Sequence, residues 1–480
     1  MGSKRVCQIA LAGWLGIGAA VAQVPGFQHV VIIFQENRTP DNLFQGLCAA
    51  PFGSADRCSA TPKAGQYNIQ TEDWLDQHST TGVTQPETVA LANQYDLSHA
   101  HSAFVAQCDV DKLTGACKMD GAGDVNCSGT CLEAKPQFRY VDNSNGVVTP
   151  YLQLATQYGF ANYMFQTNQG PSFPAHQFIF GGTSAPSAQD DASGVFAAEN
   201  MSGTAATAGC IAEAGTTVAL IDPTGEHGKI YPCFEHATMA DLLSSDKTWR
   251  YYAPSAGSIW TAPNAIDHIC QSTGPGGKCA GSGWAANVDL RPADVLTDIA
   301  SCRLRNISWV IPTGFNSDHA NANDGGGPSW VASIVNEIGH STACDGGEGY
   351  WKNTAIVITW DDWGGWYDHE RPTLLKAPQG DYQYGFRVPL IFVSAYTPAG
   401  YINNEPHDFG SILRFLEQNF GIQQGALNFA DSRAKNDLSG FYDRSREPRE
   451  FHTVASPKTA AFFVRDKRKA TDPDDDGKEK

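Results

Sequence analysis

The sequence predicts an α/β protein with a mostly parallel central sheet, and three observations carry that expectation. Four apolar runs of strand length, 28–34, 307–312, 355–359 and 388–393, lean on Val, Ile, Leu and Phe, as strands buried on both faces of a parallel sheet do. Polar clusters come directly after the first three, at 36–38, 316–319 and 361–362. Helical spacing comes after 307–312, where Val331, Ile334, Val335 and Ile338 share one face. Strand, polar turn, helix, strand is the rhythm of crossover connections.

The chain opens on a secretory pattern. Lys4 and Arg5 precede an apolar stretch from Ile9 to Val21, and Ala20-Val21-Ala22 has the small residues of a cleavage site. That stretch is too short to span a bilayer comfortably, so residues 1–22 read as a signal peptide and the mature chain starts near Gln23. No later stretch reads as a transmembrane helix, and we expect an exported protein, periplasmic or extracellular. Of 13 cysteines, Cys7 falls in the signal and twelve remain, an even number that suits disulfides in an oxidising compartment. Sequential pairing is the simplest expectation: 48/58, 108/117, 127/131, 210/233, 270/279 and 302/344. The rival is structural zinc at Cys108, Cys117, Cys127 and Cys131. A formal charge of −18 offers no attraction to phosphate backbones or anionic lipid, which argues against nucleic acid as a partner. Oligomeric state is not legible.

Gln28–Phe34 reads as the first strand, with a helix starting at Thr39-Pro40. Residues 47–87 are rich in Gly, Ser, Pro and Thr and read as a stapled surface loop. Asp96-Leu97-Ser98-His99-Ala100-His101 is either a site that uses histidine or a capped helix start. Thr149-Pro150 begins a helix carrying Tyr151, Leu154, Ala155 and Tyr158 on one face. Ala161–Phe165 reads as a short strand, followed by a turn through Gly170-Pro171-Ser172 and a helix from near Pro174. Residues 183–300 read as an insertion shaping the pocket mouth, with a helix at 239–243, a strand at 249–252 and a loop holding His268. A helix over 411–420 buries Ile412, Phe415, Leu416 and Phe420. Residues 457–480 end in mixed charge and read as a disordered tail.

The chemistry gathers after the strands. Asp361-Asp362 are adjacent carboxylates, which repel unless a cation or proton offsets them. Glu36 and Asn37 add oxygen donors, and Arg38 suits a carboxylate or phosphate fork. Ser172 comes after a strand and a sharp turn, where a hydroxyl faces a helix N-terminus. It lies in no G-x-S-x-G elbow. In a parallel sheet these strand ends share one edge, so Glu36-Asn37, Ser172, His319 and Asp361-Asp362 can converge, with His99 beside them. A hydroxyl nucleophile, hard oxygen ligands and histidines suit phosphoryl or sulfuryl transfer through a covalent seryl intermediate.

Seven segments in order carry a resemblance: Glu36-Asn37-Arg38 with Asp41 and Phe44; Asp96 to His99 with Met119-Asp120-Gly121; Gly170-Pro171-Ser172-x-Pro174; Asp318-His319; Asp361-Asp362-x-Gly364-Gly365-x-x-Asp368-His369; Arg387-Val388-Pro389; and His407-Asp408. Over about residues 28 to 422 the chain resembles the bacterial phosphoesterase family. That family holds the non-specific phospholipases C and related acid phosphatases, a branch of the alkaline phosphatase superfamily. The resemblance implies an alkaline-phosphatase-like fold and a phosphoesterase domain over 23–456. It implies Ser172 as nucleophile, with Glu36, Asn37, Asp361 and Asp362 holding one divalent cation (Mg, Mn, Ca or Zn) beside it. His99 and His319 would contact the transferred phosphate, and His268 is a candidate third histidine. Serine at the nucleophile resembles the acid phosphatases; threonine is frequent in the phospholipases. The implied substrate is a phosphate ester or phospholipid. The alternative from another class is a secreted protein that binds phosphate or phospholipid without turnover.

Overall fold

The computed structural model describes residues 26–202, 207–376 and 382–471; the expected signal peptide lies outside them. Among these residues the main sheet has eight strands, numbered here in chain order: β1 (His29–Gln35), β2 (Gly159–Met164), β3 (Trp249–Tyr252), β4 (Val288–Asp289), β5 (Ile307–Val310), β6 (Thr354–Trp360), β7 (Leu390–Val393) and β8 (Tyr401–His407). Their order across the sheet is β4-β3-β5-β1-β6-β7-β2-β8. Every pairing is parallel except those of β7 with β6 and β2, so the mostly parallel α/β architecture expected is the one observed. β7 is reversed for a simple reason. No helix lies between Trp360 and Leu390 among the described residues, and a parallel neighbour would need such a crossover.

β1 and β6 are buried at every residue and form the centre. Their register pairs His29 with Thr354 and Gln35 with Trp360, which sets Glu36 beside Asp361. Six helices flank the sheet or its loops. They are α1 (His101–Cys108), α2 (Thr149–Gln157), α3 (Ser172–Gly181), α4 (Gly327–His340), α5 (Phe409–Asn419) and α6 (Ala460–Arg465). α4 buries Val331, Ile334, Val335 and Ile338, and burying each such side chain fully stabilises by roughly 1.5–3 kcal/mol. α5 starts on a capping box in which Asp408 accepts from the Ser411 N–H, meeting one of the donors a helix leaves unpaired.

A buried polar knot ties the segment after β6 to the segment after β1. Arg387 donates from Nε and Nη2 to Asp368 at 3.0 and 2.9 Å and from Nη1 to the Asn68 and Asn162 carbonyls. Asp41 accepts from the His369 N–H and Nδ1–H at 2.9 and 2.6 Å and from the Gln70 N–H. Burial pushes Asp368 up to about 6 against the pull of Arg387. This knot explains why Asp41, Asp368, His369 and Arg387 sit in the motifs: they hold the turns, and Arg387 already supplies their positive charge.

Several expectations are corrected. The cysteines form six disulfides among the described residues, all sequential, which rules out the zinc site. Residues 183–300 are not wholly an insertion, since β3 and β4 belong to the main sheet. Residues 239–243 form turns rather than a helix, with Asp241 drawn to the Thr238 N–H and hydroxyl. The tail is ordered as far as it is described. α6 lies within it, and Phe463 is buried with its ring 5.3 Å from that of Trp330; apolar contact outweighs the charge around it. Residues 472–480 lie outside the described residues.

Candidate active site

The C-terminal ends of β1, β2, β5 and β6 meet at one edge, because these strands run the same way. Glu36 and Asn37 continue β1. Asn37 takes a left-handed φ of 60°, which asparagine tolerates, and its N–H donates to Asp361 Oδ1 at 3.0 Å. Asp361 donates its own N–H to the Gln35 carbonyl at 3.0 Å, so the two loops lock across the strand pair. Asp362 Oδ1 accepts from the Gly364 N–H at 2.7 Å. Gly364 and Gly365 then turn with φ of 62° and 71°. A Cβ on Gly364 would lie 2.5 Å from the Asn37 carbonyl oxygen, and one on Gly365 would lie 2.7 Å from that of Ser98. Only glycine lets this turn pass between the Asn37 loop and the His99 segment.

Ser172 is the first residue of α3, two positions earlier than the Pro174 start the sequence suggests. Its Oγ is 3.5 Å from Glu36 Oε2 and 3.4 Å from Asp362 Oδ2. The ten-residue helix directs its positive end at this hydroxyl. His99 donates from Nδ1 to the Leu97 carbonyl at 2.9 Å and accepts on Nε2 from Asn37 Nδ2 at 3.3 Å. His319 likewise donates from Nδ1, to the Ala320 carbonyl at 2.7 Å, and the two rings lie 5.7 Å apart. Asp318 anchors that loop. Its Oδ2 accepts from Tyr151 Oη and Trp360 Nε1, and burial raises its carboxyl to about 6.

The structure therefore brings together Glu36, Asn37, His99, Ser172, His319, Asp361 and Asp362. It does not bring His268. That residue sits in a short helical turn, one-third exposed, bonded to Glu235 at 2.9 Å and to Asp241 at 3.1 Å; two acidic neighbours hold it at the surface. Arg38 is not a substrate fork either. It is buried and donates to the Asp318 and Leu91 carbonyls, Asn42 and Asn93, and burial lowers its pKa to about 10. The histidine missed in the sequence is His176, fully buried with Nε2 3.2 Å from Glu36 Oε1 and 3.9 Å from Asp361 Oδ2. The signal was available: His176 lies four residues after Ser172, which on a helix is the same face.

These residues fit a cation. Three carboxylates are buried together, and two buried oxygens, Asn37 Oδ1 and Asp361 Oδ2, accept no hydrogen bond. Buried acceptors without donors are costly unless an ion meets them.

The family model described as "Phosphoesterase family" matches residues 27–423. The chain belongs to the Phosphoesterase family. Its relatives include a hemolytic phospholipase C of Pseudomonas aeruginosa, 23% identical over 87% of this chain and 56% of the relative. A non-hemolytic phospholipase C of the same organism is 23% identical over 42% of this chain and 34% of the relative. The chain thus spans about a third to just over half of these phosphoesterases. Among solved structures, a protein in the alkaline phosphatase superfamily from Vibrio parahaemolyticus is 13% identical, covers 58% of this chain and 61% of its own, and has a TM-score of 0.31.

Proposed function

We propose that this phosphoesterase-family chain is an exported, cation-assisted phosphoric ester hydrolase that works through a phosphoserine intermediate. The observation that carries the reading is Ser172 Oγ at the start of a buried helix, within 3.5 Å of Glu36 and Asp362. Glu36, Asn37, Asp361 and Asp362 would hold one divalent cation with Ser172. When bound, that cation would offset charge on the phosphoryl oxygens and favour the serine alkoxide.

The chain's own groups do the rest. Ser172 Oγ attacks phosphorus as its proton passes to a neighbouring carboxylate, and the helix N-terminus favours the charge that develops. The bond from phosphorus to the leaving alcohol breaks, and a protonated His319 gives a proton to that oxygen from Nε2, the nitrogen not tied to the backbone, while His99 steadies Asn37. Asn37 Nδ2 is placed to donate to a phosphoryl oxygen. Water then attacks the phosphoseryl group, restoring Ser172 and releasing the phosphate or phosphorylated head group.

The phospholipase C names of the relatives support a phospholipid as substrate. Six disulfides support export, since such bonds persist in oxidising compartments; among the described residues no helix is long and apolar enough to cross a membrane. Hydrolysis of p-nitrophenyl phosphorylcholine and p-nitrophenyl phosphate, side by side, tests the reading. Release from the choline ester supports phospholipase C chemistry, and release from the monoester alone supports a phosphatase. Binding of phosphate with no release from either ester would replace the hydrolase by a binding protein.

A further inference from the structure

We propose that His176 gives the cation centre a nitrogen donor, so that the centre favours a borderline divalent cation such as Zn over the hard Mg or Ca. This rests on the cation-assisted reading above and adds a ligand that no motif names. The argument begins at Tyr251. Its hydroxyl has one proton, donated to the Trp260 carbonyl at 2.8 Å. Its oxygen therefore acts as acceptor toward His176 Nδ1, 3.4 Å away, and Nδ1 carries the ring hydrogen. Nε2 is then the nitrogen turned to the carboxylates, 3.2 Å from Glu36 Oε1 in a hydrogen bond and 3.9 Å from Asp361 Oδ2.

A cation drawn in by these carboxylates takes the place of the hydrogen that Nε2 shares with Glu36, since a ligating imidazole is neutral. Asp361 Oδ2 accepts no hydrogen bond although it is buried. One donor atom from each of Glu36, His176 and Asp361 fits within 4.8 Å of the others. The ring itself is fixed, stacked with Trp260 at 6.4 Å and tilted against Phe34 at 5.5 Å. A metal-binding histidine held by an acceptor on its other nitrogen is the arrangement expected of a ligand with a supporting partner. Imidazole suits Zn, whereas an all-oxygen set suits Mg, Ca or Mn. The motif residues alone describe an all-oxygen set.

The test is calorimetric titration of the metal-stripped full chain with Zn and, separately, with Mg, without substrate. The parent should bind Zn more tightly than Mg. His176→Gln replaces the nitrogen by an amide oxygen and should weaken Zn at least about 10-fold while Mg changes little. Tyr251→Phe removes the acceptor that orients the ring and should weaken Zn by about 10-fold; it also keeps the test open if His176→Gln does not fold. An unchanged ratio of Zn to Mg affinity in the folded variants, or a parent that binds Mg as tightly as Zn, overturns the proposal. Ester hydrolysis is read separately. Zn selectivity lost in the variants of a parent that hydrolyses no ester would sink the hydrolase reading and leave this inference standing. Hydrolysis by a parent whose metal ratio ignores both substitutions would do the reverse.

Discussion

Ser172 and His369 both lie beside carboxylates, yet their surroundings assign them opposite work. Ser172 Oγ faces two acidic oxygens at 3.4 and 3.5 Å. Ser172→Ala removes the attacking atom and little volume, so turnover should fall at least about 10³-fold with the thermal midpoint near the parent's. Acid-quenched labelled substrate should leave phosphate on the Ser172 peptide of the parent and not of the variant; near-parental rates would mean that water attacks directly. His369 is structural, and its effect depends on pH. Burial works to lower its pKa, but Asp41 outweighs this and raises it above the ordinary 6.5. Burial likewise works to raise Asp41, but His369 and Arg387 outweigh it and hold Asp41 below 3.8. A raised histidine contributes stability that is complete below its unfolded pKa and is lost as pH climbs through its folded one. A depressed aspartate contributes above its unfolded pKa and loses it as pH falls through its folded one. His369→Gln should therefore cost most between pH 3.8 and 6.5, and less on either side. Urea midpoints of both proteins across pH check this; a cost that does not vary with pH would remove the ion pair from the account.

At the scale of an element, the turn after β6 decides whether the site assembles. Its two glycines have positive φ, and a Cβ on the first would stand 2.5 Å from the Asn37 carbonyl oxygen. Gly364→Ala meets both obstacles. The left-handed backbone costs about 1–2 kcal/mol for an L residue, and the contact displaces Asn37. We expect a folded variant with a lower midpoint and weakened cation affinity, read by thermal melting and calorimetry. Parental affinity in that variant would show that Asn37 does not depend on the turn.

At the scale of the molecule, the disulfides lie outside the strands of the main sheet and close separations from 4 to 42 residues. A disulfide contributes roughly 2–4 kcal/mol, less for the shortest loops. Reduction should therefore lower the melting temperature well beyond any single bond's share while the central sheet keeps its far-ultraviolet signal at low temperature. Peptide mapping of the unreduced protein should return the six sequential pairs, and free thiols at those positions would remove this source of stability.

The sequence by itself determined the strands of the sheet's centre and the polar residues at their ends. An apolar run buried on both faces is written in consecutive residues, and the residues just after it lie at the sheet edge. Sequential pairing of the cysteines was only the simplest expectation, and the tertiary structure decided it by setting chain neighbours side by side. Tertiary structure alone decided the roles that depend on distant partners. Arg38 and His268 have the residue types of a site, yet Asp318, Leu91, Glu235 and Asp241 hold them elsewhere. His176 lacks a strand end of its own and reaches Glu36 and Asp361 only because α3 sets it beside the residues that follow β1 and β6. The docking of α6 rests on the same ground: burial against partners far along the chain outweighs local pattern, and no local pattern records those partners.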